Sequence, residues 1–187
     1  MGLFEHLTSS ELFALAQFEL SKEDLSNAFI KLKALIARED CPVSAHSAIA
    51  RCYARLQLFS LAEQHFAQFI KENPNAFVEK FQLGLTILDQ NRKEEALTLW
   101  DEILRETPNF PPILYHKALV FARDGQVDAA KNLLKELFAN TASDNFYFNK
   151  GKELSDALQN ANQGEAIQKQ EDSRELPKGA YQDITKH

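Results

Sequence analysis

The chain has 187 residues, 44% of them hydrophobic and 26% charged, with a formal net charge of -6 at pH 7. This is enough apolar material for a folded core, and the acidic balance argues against a nucleic-acid binder, which ordinarily carries a net basic face. No stretch is long and apolar enough to insert in a membrane. The opening Met1-Gly2-Leu3-Phe4-Glu5-His6 has no basic region before an apolar run, and His6 stands where a myristoylation signal has Ser or Thr, so a cytoplasmic protein is expected.

Residues 1–8 form a leading segment whose Leu3, Phe4 and Leu7 are suited either to pack on the first repeat unit or to form a dimer contact. From Ser9 the chain divides into units of 34 residues: 9–42, 43–76, 77–110 and 111–144. A small residue recurs in the first half of each unit (Ala16, Ala50, Gly84, Ala118) and another in the second half (Ala28, Ala62, Ala96, Ala130). Large apolar residues keep the same phase: Leu15, Ile49 and Leu83 before the first small position, Tyr53, Ile87 and Phe121 after it. Leu32, Phe66, Trp100 and Leu134 follow the second, with Leu35, Phe69, Ile103 and Leu137 three residues further on. Spacings of three and four place these residues on one helical face, and the small positions let two helices approach closely. Each unit is therefore predicted to be helix, turn, helix.

Turn chemistry follows the same division. Pro74-Asn75 and Pro108-Asn109 stop one helix and offer an Asn cap for the next, while Pro111-Pro112 suits a first helical turn. Within the units, Ser21-Lys22-Glu23-Asp24 can cap a second helix, and Gln90-Asn91-Arg92 and Asp124-Gly125-Gln126 are turn formers. Beyond Asp144, Phe146, Phe148, Leu154, Ala157 and Leu158 give an amphipathic helix over 145–160, with Lys152 where the small residue would fall. A helix of this kind caps the last apolar face of a repeat array. Residues 161–187 are Gln, Glu, Lys and Asp with scattered Gly and one Pro, too polar to bury a core, and are expected to be a flexible tail whose Tyr181 and Ile184 are its candidates for docking.

With these columns the chain resembles the tetratricopeptide repeat family, whose unit is a helical hairpin of this length with small residues at the two positions and a proline near the end. The resemblance implies an all-α, right-handed solenoid of about four hairpins with a C-terminal capping helix. Glu19 replaces the aromatic or aliphatic residue in the first unit, Lys117 replaces Leu in the fourth, and Ala142 stands where Pro74 and Pro108 stand. In the family the first helix of each hairpin lines a concave groove. Carried over, that rule exposes Phe13, Ala14, Gln17 and Leu20; Ser47, Ala48, Arg51, Ala54 and Arg55; Phe81, Gln82, Leu85, Leu88 and Asp89; Tyr115, His116, Leu119 and Arg123; and Asn149 and Lys150 on the capping helix. The expected partner-binding surface is Phe13, Gln17, Arg51, Arg55, Phe81, Gln82, Leu85, Tyr115, His116, Leu119, Arg123 and Lys150, apolar and aromatic with a basic component.

The function this implies is a non-catalytic module that holds an extended or helical segment of a partner protein, one that alternates apolar anchors with acidic residues. Alternatives are a small chaperone resembling those of secretion systems and a self-assembling scaffold, with a homodimer possible in either case. Family members that clamp a chaperone's C-terminal carboxylate use Lys and Asn in the groove, for which Ser47, Ala48 and Phe81 are poor substitutes. No enzyme, cofactor or metal is expected. Cys41 and Cys52 are too far apart for a close pair, His46, His65 and His116 fall on three different helices, and Glu94-Glu95 and Asp101-Glu102 read as solvated charge at helix starts or on outer faces. Gly84 and Gly125 form no phosphate-cradling loop.

Overall fold

A computed structural model describes residues 4–162 of the chain, which form α-helices joined by short turns. Leu3 and the tail from residue 163 onward, with Tyr181 and Ile184, lie outside the described residues. The helices are α1 (Ser9–Ser21), α2 (Leu25–Leu35), α3 (Ser44–Arg55), α4 (Phe59–Glu72), α5 (Phe77–Asp89), α6 (Lys93–Glu106), α7 (Pro111–Arg123), α8 (Val127–Asn140) and α9 (Phe146–Asn162). There are two compact units, one running to Ala96 and the other beginning at Leu97. In the first, α1 packs on α2, α3 on α4 and on α2, and α5 on α4; in the second, α7 packs on α8, and α9 lies against both.

The small columns sit where helices approach most closely. Ala16, Ala28, Ala50, Ala62, Ala96, Ala118 and Ala130 are fully buried, and Gly84 is buried in α5. Around them the first unit gathers Leu12, Leu32, Leu35, Ile49 and Phe66, and the second Leu114, Leu134, Leu137, Tyr147 and Leu158. Trp100, the largest apolar side chain, is also fully buried. Leu15 departs from its column. It is exposed where Ile49 is fully buried, because α3 lies against α2 and the outer face of α1 has no described element over it.

Every turn between the paired helices has one geometry. Glu23, Gln57, Asn91 and Gly125, each 34 residues after the last, have φ of 61°, 59°, 62° and 74°. The following N–H groups, of Asp24, Leu58, Arg92 and Gln126, reach back to the carbonyls of Glu19, Tyr53, Ile87 and Phe121 at 3.0, 2.9, 3.2 and 2.8 Å. A left-handed residue closing such a bond is the Schellman ending, which satisfies carbonyls that the helix leaves open. Only one of the four positions uses the residue that tolerates positive φ without strain.

Helix starts are more varied. Thr8 and Glu11 form a reciprocal capping box at α1, with Glu11 N–H donating to Thr8 Oγ1 at 3.2 Å and Thr8 N–H to Glu11 Oε2 at 2.8 Å. Asp24 caps α2, as its position in the turn suggests, by accepting from Asn27 N–H at 3.1 Å. The expected Asn caps are not formed: the cap positions of α5 and α7 are Ala76 and Phe110, with no side-chain bond, so Asn75 and Asn109 stand one residue too early. Pro111 and Pro112 do occupy the first turn of α7.

Two substitutions that depart from the repeat pattern are answered by opposite charge. Glu19 pairs with Lys31 of α2 at 2.5 Å, and Lys117, buried in α7, pairs with Asp101 of α6. The leading segment packs rather than projects: Phe4 and Leu7 lie against the first core, and Arg38 donates to the carbonyls of Phe4 at 2.7 Å and Leu7 at 2.8 Å. In α9 the small residue of the crossing is present but one position earlier than expected. A Cβ on Gly151 would stand 2.8 Å from Leu137 Cδ2 and 3.0 Å from Phe138 Cε1, while Lys152 is exposed over the Phe148 ring. The buried face of α9 is accordingly Tyr147, Gly151 and Leu158, with Phe146 and Ala157 turned outward.

Candidate functional site

The first helices carry three columns in which the expected partner-binding residues fall. In the column Phe13, Ser47, Phe81 and Tyr115, Phe13 is half-buried, Phe81 is fully buried, and Ser47 and Tyr115 are buried. The column Gln17, Arg51, Leu85 and Leu119 runs exposed, half-buried, fully buried and half-buried. In the column Ser21, Arg55, Asp89 and Arg123 every residue is half-buried or exposed. Gln82 and His116 are buried as well, and Lys150, half-buried in α9, is paired with Glu153 at 2.8 Å.

The exposure expected of Phe81, Gln82, Leu85, Tyr115 and His116 is therefore not found. A first helix is covered from more than one side, as α7 is by both α8 and α9, so large side chains in the first two columns complete the packing and do not line an opening. The open part of these columns is polar and basic: Gln17, Arg51 and Arg55 in the first unit, Arg123 beside Leu119 in the second.

Sequence spacing gave no way to separate the arginines. Arg51 is fixed in a network: its Nη1 donates to Ser47 Oγ at 3.1 Å, Ser47 Oγ donates to Glu79 Oε1 of α5 at 3.0 Å, and the Arg51–Glu79 charges are 3.9 Å apart. Burial draws the Arg51 guanidinium below its ordinary pKa, with Glu79 opposing. Arg55, one turn later on the same face, meets no carboxylate among the described residues. It is thus available to one from outside.

The reactive side chains are held quiet. Burial pushes the Cys52 thiol up to about 11, and burial with Asp40 raises Cys41; both are free thiols. Desolvation takes His116 down to about 3, keeping the ring neutral. His46 and His65, although on different helices, meet with their Nδ1 atoms 2.8 Å apart and their rings stacked, and Tyr53 stacks on His65. Nineteen residues separate them across a hairpin, so helical spacing could not reveal the pair. Among the described residues no group of three or more His, Cys, Asp or Glu is placed to hold a metal, and no helix is long and apolar enough to cross a membrane.

Known structures share this architecture. A thermophilic tetratricopeptide repeat protein, TTC0263 from Thermus thermophilus, superposes with a TM-score of 0.66 at 17% identity, covering 83% of this chain and 84% of that one. The fold is that of a tetratricopeptide-type helical repeat protein. MamA structures share it as well, one with a TM-score of 0.63 at 14% identity over 81% of this chain and 83% of its own. A fragment of MamA from Desulfovibrio magneticus RS-1, residue 41 to the end, gives 0.63 at 14% identity over 84% of this chain and 97% of its own. No protein-family model and no curated protein matches the sequence, so the tetratricopeptide likeness rests on the hairpin geometry and the 34-residue columns.

Proposed function

We propose that this protein is a non-catalytic interaction module that holds a segment of a partner protein on the first helices α1 and α3, and that it acts in the cytoplasm. The tetratricopeptide-type fold supports the class of function, and two free thiols suit a reducing compartment. The single observation that carries the surface assignment is that the first unit leaves Gln17 and Arg55 open on α1 and α3, with no carboxylate on Arg55 among the described residues, while Phe81 is withdrawn into the core. Such a surface suits a partner segment rich in Asp and Glu with a few apolar side chains, the charges selecting register and speeding encounter. Buried, uncharged or protonated side chains such as His116 and Cys52 leave little for catalysis to use.

Site-specific photo-crosslinking tests this reading. A crosslinker at Gln17 or at Arg55 should capture the same partner segment, whereas one at Gln64, exposed on the second helix α4, should not. Equal capture from both sets would move the interaction to another surface.

A further inference from the structure

The outer face of α1 is an exception to the repeat pattern. Glu11, Ala14, Leu15 and Phe18 are exposed, Leu15 to 41% and Phe18 to 60%, although their counterparts 34 residues later, Ala45, Ala48, Ile49 and Cys52, are all buried in α3. In α3 that face lies within the first core, where the hairpin of α1 and α2 contributes Leu12, Ala16, Leu32 and Leu35. Residues 4–8 do not cover the face on α1, since Phe4 and Leu7 are directed into the core and held there by Arg38. A docking surface is left with the chemistry of an internal repeat contact.

The order of residues along this face indicates what fits it. Glu11, Leu15, Phe18 and Lys22 are spaced by four, three and four, which keeps them on one stripe of the helix. The stripe is its own complement under a two-fold axis passing between Leu15 and Phe18. With two α1 helices antiparallel, Leu15 faces Phe18 of the second copy, and Glu11 faces Lys22 of the second copy, each contact occurring twice. Ala14 beside the stripe lets the axes approach.

We infer that α1 is a homodimerisation surface, on which two copies of this chain associate antiparallel through Leu15 and Phe18, flanked by two Glu11–Lys22 pairs. A self-complementary patch of this kind closes on itself and stops at two copies. With only two large apolar side chains from each copy, it falls well short of the roughly 800 Å² per partner of a standard stable interface, so association is weak and strengthens at low salt. This surface is distinct from the one that carries Gln17 and Arg55, and a monomeric protein would leave the proposed partner binding untouched.

Sedimentation velocity between about 10 μM and 1 mM reads this directly, a range that brackets weak association. The wild-type chain should pass from monomer to dimer, with a midpoint that moves to higher concentration as salt is added. Lys22→Glu alone and Glu11→Lys alone should each shift the midpoint upward by tenfold or more, because each opposes like charges twice. An equimolar mixture of the two variants should recover the dimer, since each chain then meets its opposite. Phe18→Asp, which leaves the Thr8–Glu11 cap intact, should abolish it, with circular dichroism confirming that helicity is kept. A wild-type chain that stays monomeric throughout, larger open-ended assemblies, or a mixture no better than either variant alone would overturn the inference.

Discussion

Replacing Gln57 with Gly should stabilise the protein, although glycine ordinarily weakens helical structure. Gln57 has φ of 59° and an exposed side chain, and the turn depends on its backbone, through Gln57 N–H to Ala54 O at 3.0 Å and Leu58 N–H to Tyr53 O at 2.9 Å. A side chain in the left-handed region costs about 1–2 kcal/mol, and the freedom that glycine adds to the unfolded chain offsets about 0.5–1 of that. The net gain is about 0.5–1 kcal/mol, or about 1–4 °C in melting temperature for a chain of this size. Glu23→Gly should behave alike, and Asn91→Gly should gain less because Asn tolerates positive φ. Gly125→Ala at the equivalent position should lose about 1 kcal/mol from backbone conformation alone, since the added Cβ would meet nothing within 4 Å. Thermal and urea melts followed by circular dichroism are the assay. A lower melting temperature for Gln57→Gly, or a higher one for Gly125→Ala, would refute the shared turn geometry as the source of the effect.

Further outcomes arise from the packing and the charges. Ala62→Leu should cost about 1–3 kcal/mol by forcing fully packed helices apart, and Trp100→Ala about 3–5 by leaving a cavity; an unchanged melt for either contradicts the burial of that column. Because the folded pKa of His116 lies near 3, below the ordinary 6.5, its contribution to stability is complete above pH 6.5 and is lost as pH falls from there toward 3. The loss is up to about 1.4 kcal/mol per pH unit for His116, and His46 and His65, also lowered by burial, act in the same direction; a melt independent of pH between 7 and 5 would oppose this. Arg51→Ala should lose about 1–3 kcal/mol with its Ser47 and Glu79 contacts, whereas Arg55→Ala should change stability by less than about 0.5, as urea titration of the two variants will show.

Much of the fold was legible because close helix contacts constrain residue size directly. Ala62 and Ala96 had to be small, and the step from each to the next gives the hairpin register. What escaped the sequence depended on one-residue offsets or on contacts between distant segments. Asn75 and Asn109 have cap chemistry but precede the cap by one position; Gly151, not residue 152, meets Leu137 and Phe138 because the crossing of α9 does not keep the repeat phase. Positive φ at Glu23 and Gln57 was invisible because neither residue type favours it, and only the common backbone bond imposes it. The candidate site was legible in part: periodicity located the first-helix columns, but it could not tell a side chain facing an opening from one covered by a neighbouring helix. Phe81 and Leu85 share the periodicity of open positions yet are fully buried, and the different situations of Arg51 and Arg55 follow from Ser47 and Glu79, whose partnership no spacing announces.

If partner segments are held by the open surface of α1 and α3, the charge at Arg55 must govern how fast an acidic segment is captured. Stopped-flow binding to the wild-type chain and to Arg55→Glu, at low salt and at about 0.5 M salt, separates charge from packing because screening removes the first. Association should be at least tenfold slower for the variant at low salt, with a gap that closes at high salt and an unchanged melt. Equal rates at both salt concentrations, with the segment still bound, would contradict the assignment of partner binding to α1 and α3.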